Sequence, residues 1–154
     1  MKSRSVMNIT TRPALEVDTD FARTVHHHAY YDVVIRQYGV WEEEAQDEFF
    51  RNDWDPRLFE IIRCDGVPCG YTPIEDRSNE IQVHELVISP LFQEKGIGTQ
   101  LLRSVIERAK ARQVPVRLET QHANRAVTLY RRLGFREFER TETHIVMEWS
   151  TGVG

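Results

Sequence analysis

The chain has 154 residues, 40% of them hydrophobic and 29% charged, with a formal net charge of −4. These figures fit one domain spanning 1–154 with a real core, and they exclude a general nucleic-acid binder, whose affinity needs a basic face. No apolar run reaches the roughly 20 residues of a membrane span, and no secretory leader is visible, so a cytoplasmic protein is expected.

Residues 1–6 read as a loose tail, with Met7 as an alternative start. Asn8 to Pro13 alternates weakly and reads as a first strand, closed by Pro13. Asp18 is placed to cap a helix running through Phe21 and Val25. A second helix, from about Trp41 to Arg51, should carry Trp41, Ala45, Phe49 and Phe50 on one side and expose Glu42, Glu43, Asp47 and Glu48. The period then changes. Leu58 to Cys64 is a strand, Asp65-Gly66 a hairpin turn, and Cys69 to Ile74 the partner strand. Cys64 and Cys69 flank that turn; two reduced, buried thiols are expected, although the spacing also allows a disulfide. After a turn at 76–79, Glu80 to Ile88 reads as one long strand, with Ile81, Val83, Glu85 and Val87 on one face and Gln82, His84, Leu86 and Ile88 on the other.

The next stretch organises the rest. Leu86-Val87-Ile88-Ser89-Pro90-Leu91-Phe92-Gln93-Glu94-Lys95-Gly96-Ile97-Gly98-Thr99 ends a strand at a proline and opens a helix that runs to about Arg112. Ile97, Leu101, Leu102, Val105, Ile106 and Ala109 recur at helical spacing as one apolar stripe. Free N–H groups and the peptide dipoles make the start of such a helix attractive to an anion. Glycine at 96 and 98 removes side chains that would hold a phosphate away, and Gln93 and Lys95 add donors. The stretch reads as a phosphate or pyrophosphate seat. Val114 to Thr120 (strand), Asn124 to Leu133 (helix), Phe135 to Arg140 (strand) and His144 to Trp149 (strand) complete the chain. The fold class is α/β (α+β), a mixed sheet of about seven strands with helices on both faces, ordered β-α-α-β-β-β-α-β-α-β-β. Its central strand–helix–strand crossover demands a parallel pair, while the hairpins on either side are antiparallel.

The Gln93-x-x-Gly96-x-Gly98 run, with Tyr130-Arg131-Arg132-Leu133-Gly134-Phe135 one strand and one helix downstream, resembles the GNAT family of acyl-CoA-dependent N-acetyltransferases. The resemblance covers about Ile81 to Trp149. It implies acetyl-CoA as co-substrate, with its pyrophosphate on Gln93, Glu94, Lys95, Gly96, Ile97, Gly98 and Thr99. The pantetheine arm would lie along the backbone of Leu86, Val87 and Ile88, and Asn124 would bond the same arm as well as cap its helix.

Acetyl transfer to an amine needs a polarised thioester, a base for the ammonium proton and an acid for the departing thiolate. Tyr130, neutral at working pH, occupies the place of the family's usual general acid; packing with Val127 and Leu133 is its structural alternative. His84 matches the histidine that serotonin-acetylating relatives use to remove the substrate proton; a hydrogen-bonded core histidine is the other reading. Histone-acetylating relatives place a glutamate where this chain has Gln82, which cannot act as a base, so His84, Glu85 or bulk water remains as acceptor.

His26-His27-His28 does not read as a metal site, because consecutive helical residues point about 100° apart; a solvated or acceptor-lining face is expected, and no metal. Tyr30 and Trp41 are candidates for an acceptor pocket, although most nearby aromatics read as packing. Neither cysteine lies in the coenzyme-binding stretch, so direct attack in a ternary complex is expected. The reading is an acetyltransferase acting on a primary amine, with a small molecule as acceptor. The alternatives are a protein-lysine or N-terminal acetyltransferase and a non-catalytic acyl-CoA sensor. A homodimer using Ile145, Met147 and Trp149 is a further expectation.

Overall fold

The computed structural model describes residues 7–84, 86–93, 95–121 and 126–151. Their contacts divide the chain into two compact bodies, one holding the chain up to Thr72 together with Leu86–Ile97, the other Pro73–Glu85 with Gly98 onward.

In the first body β1 (Ile9–Pro13) pairs antiparallel with β2 (Phe59–Cys64), Ile9 facing Cys64 and Pro13 facing Glu60. A two-residue turn, Asp65-Gly66, leads from β2 into β3 (Val67–Asp76), and both turn residues have positive φ, as a tight hairpin requires. β5 (Val87–Ile88) is antiparallel to the early part of β3, with Gly70 opposite Ile88 and Tyr71 opposite Val87. Helices α1 (Thr19–Tyr38) and α2 (Glu43–Asp53) complete this body. Its core gathers Ala14, Ala22, Val25, Phe50, Ile61, Tyr71 and Val87, with Trp54 packed against it. Trp54 lies 5.6 Å from the Phe50 ring, 5.5 Å from Tyr71 and 4.9 Å from Phe59. Its indole N–H donates to Thr19 Oγ1.

In the second body the late part of β3 is antiparallel to β4 (Ile81–Val83), and β4 runs parallel to β6 (Val116–Gln121) through the crossover helix α3 (Ile97–Arg112). β8 (His144–Trp149) lies antiparallel between β6 and β7 (Arg136–Arg140), and α4 (Ala126–Arg132) connects β6 to β7. The expected parallel crossover and antiparallel hairpins are both present. The α3 stripe is buried throughout, from Ile97 to Ala109. Ile81, Val83, Val116, Leu118, Phe135, Ile145 and Met147 are buried with it. Because Ile145 and Met147 are covered within their own chain, they have no surface to give to a dimer contact, contrary to the sequence expectation.

The sheet has eight strands rather than about seven, because the long strand expected over Glu80–Ile88 is two short ones. The break has a chemical cause in the neighbouring strand. The β3–β4 register pairs Ile74 with Val83, and one rung further the His84 N–H donates to the Pro73 carbonyl at 3.1 Å. Proline has no N–H to return the bond, so the rung is half-made and the ladder stops there. The face alternation survives the break: Ile81, Val83 and Val87 are buried while Gln82, His84, Leu86 and Ile88 are only partly so.

Helix α2 also departs from expectation. Phe49 is exposed and Gln46 is buried beside Phe50, because Asp47 is turned toward α1, where Arg23 and His27 bind its carboxylate. Asp18 does precede α1, but its carboxylate makes no cap to that helix. It instead accepts two bonds from Arg12 and one from the Leu15 N–H, all at 2.8 Å.

Candidate active site

Ser89 leads into a short 3-10 turn over Pro90–Phe92, and α3 begins at Ile97. Gly96, just before it, has φ +77°, a conformation that L side chains rarely adopt, and a Cβ built there meets nothing within 4 Å. Among the described residues, setting aside its two chain neighbours, nothing comes within 4 Å of that point, so the residues suit an anion held by the first N–H groups of α3. Lys95 is exposed beside it, and Ile97 is buried, so Ile97 can offer such a ligand only its backbone. Gln93 is differently engaged: its side-chain amide donates to the Ile88 carbonyl at 3.0 Å, tying the loop back to the end of β5. Gly98 and Thr99 form the first turn of α3. Glu94 lies outside the described residues.

Leu86, Val87 and Ile88 supply the backbone of β5 and its lead-in. β5 is held very close to β3: a Cβ added at Gly70 would sit 2.3 Å from the Val87 carbonyl oxygen and 3.1 Å from Ile88 Cα. Only a glycine tolerates that approach, and sequence reading gave Gly70 no role.

In the second body, His84 follows the last residue of β4, with its side chain 41% exposed. Its Nε2 lies 3.5 Å from Glu75 Oε1 on β3. The other Glu75 oxygen accepts from Arg77 Nε at 3.0 Å and Nη2 at 2.7 Å. The Arg77 guanidinium first, and His84 after it, hold the Glu75 carboxyl below the usual range. Glu75 stands directly opposite Gln82 in the register, so a carboxylate is present on this face although position 82 carries an amide. Its pairing crosses strands, which a pattern read along one strand does not reveal.

Tyr130 is buried on α4, its ring 6.0 Å from Phe135. The helix closes at Gly134, φ +102°, where the Phe135 N–H returns to the Tyr130 carbonyl at 3.0 Å. Asn124 lies outside the described residues, as does Glu85.

Tyr30 and Trp41 fall in a ring cluster of the first body. The Tyr30 ring lies 4.9 Å from His26, tilted to it, and Trp41 lies 5.1 Å from His27 and 5.4 Å from Tyr31 while its N–H donates to Glu43. The three histidines diverge: His28 is exposed, His26 half-buried and His27 buried. Of the two readings the sequence offers, a solvated or an acceptor-lining face, the burial of His27 goes against the first. His27 Nε2 meets Asp47 Oδ1 at 2.6 Å, and His26 and His27 share a 2.9 Å contact between their Nδ1 atoms. Among the described residues, His27, Glu43 and Asp47 form the one group close enough to hold a metal ion. Arg23 already engages both carboxylates, Asp47 at 2.7 Å and Glu43 at 2.8 Å, and a cation at their centre is what a divalent ion would have to displace. Cys64 and Cys69 are both free and buried, and burial pushes the Cys69 thiol up to about 11, so it carries no thiolate at neutral pH.

Solved structures share this architecture. The chain superposes on a PaiA N-acetyltransferase of Thermoplasma acidophilum, crystallised in complex with coenzyme A, with a TM-score of 0.73 at 19% identity over 94% of this chain and 99% of that one. A Pyrococcus horikoshii protein gives 0.70 at 17% identity over 95% and 100%. The fold is thus that of the N-acetyltransferase structures. The sequence adds the family: the model of the acetyltransferase (GNAT) family matches residues 27–135, and the chain belongs to that family. It is also 32% identical over 107 residues to an uncharacterised N-acetyltransferase of Methanocaldococcus jannaschii, a match covering 68% of this chain and 46% of the relative. The chain thus spans about half the length of that relative. No described helix is long and apolar enough to cross a membrane.

Proposed function

We propose that the chain is an acetyl-CoA-dependent N-acetyltransferase that acetylates a primary amine of a small molecule by direct attack in a ternary complex. The observation that carries this reading is membership of the acetyltransferase family over residues 27–135, a span that includes strands β4 and β5, the glycine-started helix and Tyr130. The first turn of α3, with Lys95, Gly96, Gly98 and Thr99, receives the pyrophosphate; Gln93, Glu94 and the Ile97 backbone complete that loop. The backbone of Leu86, Val87 and Ile88 takes the pantetheine arm as an added strand, and Asn124 bonds the same arm.

His84 takes the proton from the substrate ammonium. The freed amine nitrogen forms a bond to the thioester carbonyl carbon, the carbon–sulfur bond breaks, the departing sulfur takes the phenolic proton of Tyr130, and the proton that the nitrogen sheds as the amide forms passes through solvent to restore the phenol. Tyr30 and Trp41 border the acceptor. The buried, protonated Cys69 thiol supports direct attack over an acetyl-enzyme route.

A thiol-release assay with acetyl-CoA and a panel of amines tests the reading. Turnover with at least one small amine is expected, with Tyr130→Phe lowering kcat at every pH more than it weakens acetyl-CoA binding, and His84→Ala removing the acid limb of the rate profile. Tight acetyl-CoA binding without thiol release for any amine would leave the chain a coenzyme-binding protein. Unchanged kcat in Tyr130→Phe would remove the acid role.

A further inference from the structure

The geometry points to Glu75 as the positioning residue for His84: its carboxylate, anchored by Arg77, faces Nε2 of the imidazole and leaves Nδ1 to accept the substrate's proton. This rests on the reading of His84 as the base. The arrangement follows from the β3–β4 register. His84 pairs with Pro73 through its backbone, so Glu75, two residues along the same face of β3, is its diagonal neighbour and within side-chain reach. The two Glu75 oxygens have different partners, Oε2 held by two Arg77 nitrogens and Oε1 left toward His84. Arg77 is itself fixed by the turn between the strands, its N–H donating to the Glu80 carbonyl at 2.9 Å and its guanidinium 4.0 Å from the Glu80 carboxylate. The groups therefore form a row, Glu80, Arg77, Glu75, His84, in which each charge is met by its opposite and the last member is the imidazole.

The row has a consequence for proton transfer. A carboxylate facing one ring nitrogen selects the tautomer with its proton there, so the lone pair sits on the opposite nitrogen, and it stabilises the imidazolium that forms when that lone pair takes a proton. Glutamine at 75 keeps the shape and loses the charge.

The test uses the full chain with acetyl-CoA and an accepted amine, and compares wild type, Glu75→Gln, His84→Ala and the double variant. Glu75→Gln is expected to lower kcat about tenfold with KM for acetyl-CoA unchanged, and to add nothing further in the His84→Ala background. A loss that multiplies in the double variant would make Glu75 a structural residue or a base in its own right, and a Glu75→Gln enzyme with wild-type kcat would overturn the proposal outright. Failure of the underlying reading is distinguishable: His84→Ala would then itself retain full turnover. Carbon-detected NMR of the Glu75 carboxyl supplies a readout that needs no activity. Its titration is expected to move to higher pH in His84→Ala, less than in Arg77→Ala, and an unmoved midpoint in His84→Ala would sink the contact on which the proposal stands.

Discussion

Gly70→Ala isolates the closeness of β5 to β3. Gly70 is not among the positive-φ glycines, so alanine costs nothing in backbone conformation there. By stiffening the unfolded chain the change should even stabilise by about 0.4–1 kcal/mol. Against that stands one methyl group placed 2.3 Å from the Val87 carbonyl oxygen, and the next nearest atoms, Ile88 Cα and Cδ1, are each at 3.1 Å. The oxygen belongs to backbone and cannot swing aside, so β5 must retreat by roughly 1 Å, a shift of the kind that overpacking charges at about 1–3 kcal/mol. The contact outweighs the entropy gain. A net loss of about 1 kcal/mol lowers the melting temperature of a chain this long by roughly 2–4 °C. Thermal unfolding by circular dichroism measures this, and calorimetry with acetyl-CoA measures the second effect, since β5 carries the backbone proposed to take the pantetheine arm. Affinity should fall at least tenfold. A variant as stable as wild type, or more so, would refute the close approach, because only the stabilising entropy term would then remain.

Three further outcomes are expected. Burial first and His27 second push the His26 imidazole down to about 4 from 6.5, so the unfolded chain binds more protons between those values; stability is fully present above about 6.5 and falls as the pH drops toward 4. Urea titrations across that window should show a loss on the order of 2 kcal/mol that His26→Phe abolishes, and equal slopes in the two proteins would contradict it. The depressed carboxyl of Asp47, held at about 2 by Arg23 and then His27, loses its contribution lower, between about 4 and 2, and does not confuse the reading. Asp18→Asn removes the charge that Arg12 and the Leu15 N–H share in a nearly buried site, and should lower stability by about 1–2 kcal/mol in urea titrations at neutral pH. Gly134→Ala meets both a φ of +102° and Trp149 Cδ1 at 3.1 Å, and should lose about 1–3 kcal/mol, of which a second substitution, Trp149→Leu, recovers only the contact portion.

The legible parts of this sequence are those whose determinants lie along one element. β8 was read to the residue, His144–Trp149, and every apolar position named on α3 is buried. What escaped the reading depends on partners far away in the chain. Nothing local on α2 says that Asp47 will turn to Arg23 and His27, twenty or more residues earlier, yet that pairing sets the helix's rotation and leaves Phe49 in solvent. Helical spacing says that the three histidines diverge, but the burial of the middle one depends on the same Asp47. Trp54, which carried no assigned role, holds Phe50, Phe59 and Tyr71 together from the loop before β2.

The interrupted strand shows where such information resides. Among the described residues of 80–88 the alternation continues on both sides of the break, because side-chain period reports which face is buried and not whether the backbone is paired. The pairing is decided on β3. Gly70 admits the carbonyl of Val87 at a distance no side chain would permit, which fixes β5 against the early part of that strand. Three residues later Pro73 withholds the N–H that would complete the rung with His84, which ends the ladder to β4. Two residues beyond that, Glu75 presents a carboxylate to the histidine at which the ladder stops. A glycine, a proline and a glutamate at 70, 73 and 75 thus hold the backbone after the break against β3, place the break and furnish its histidine with a charged neighbour. Moving the proline by one residue should relocate the end of the ladder along with it. The strand that carries the candidate base is shaped by the strand beside it, and Gly70-x-x-Pro73-x-Glu75 is the pattern to read.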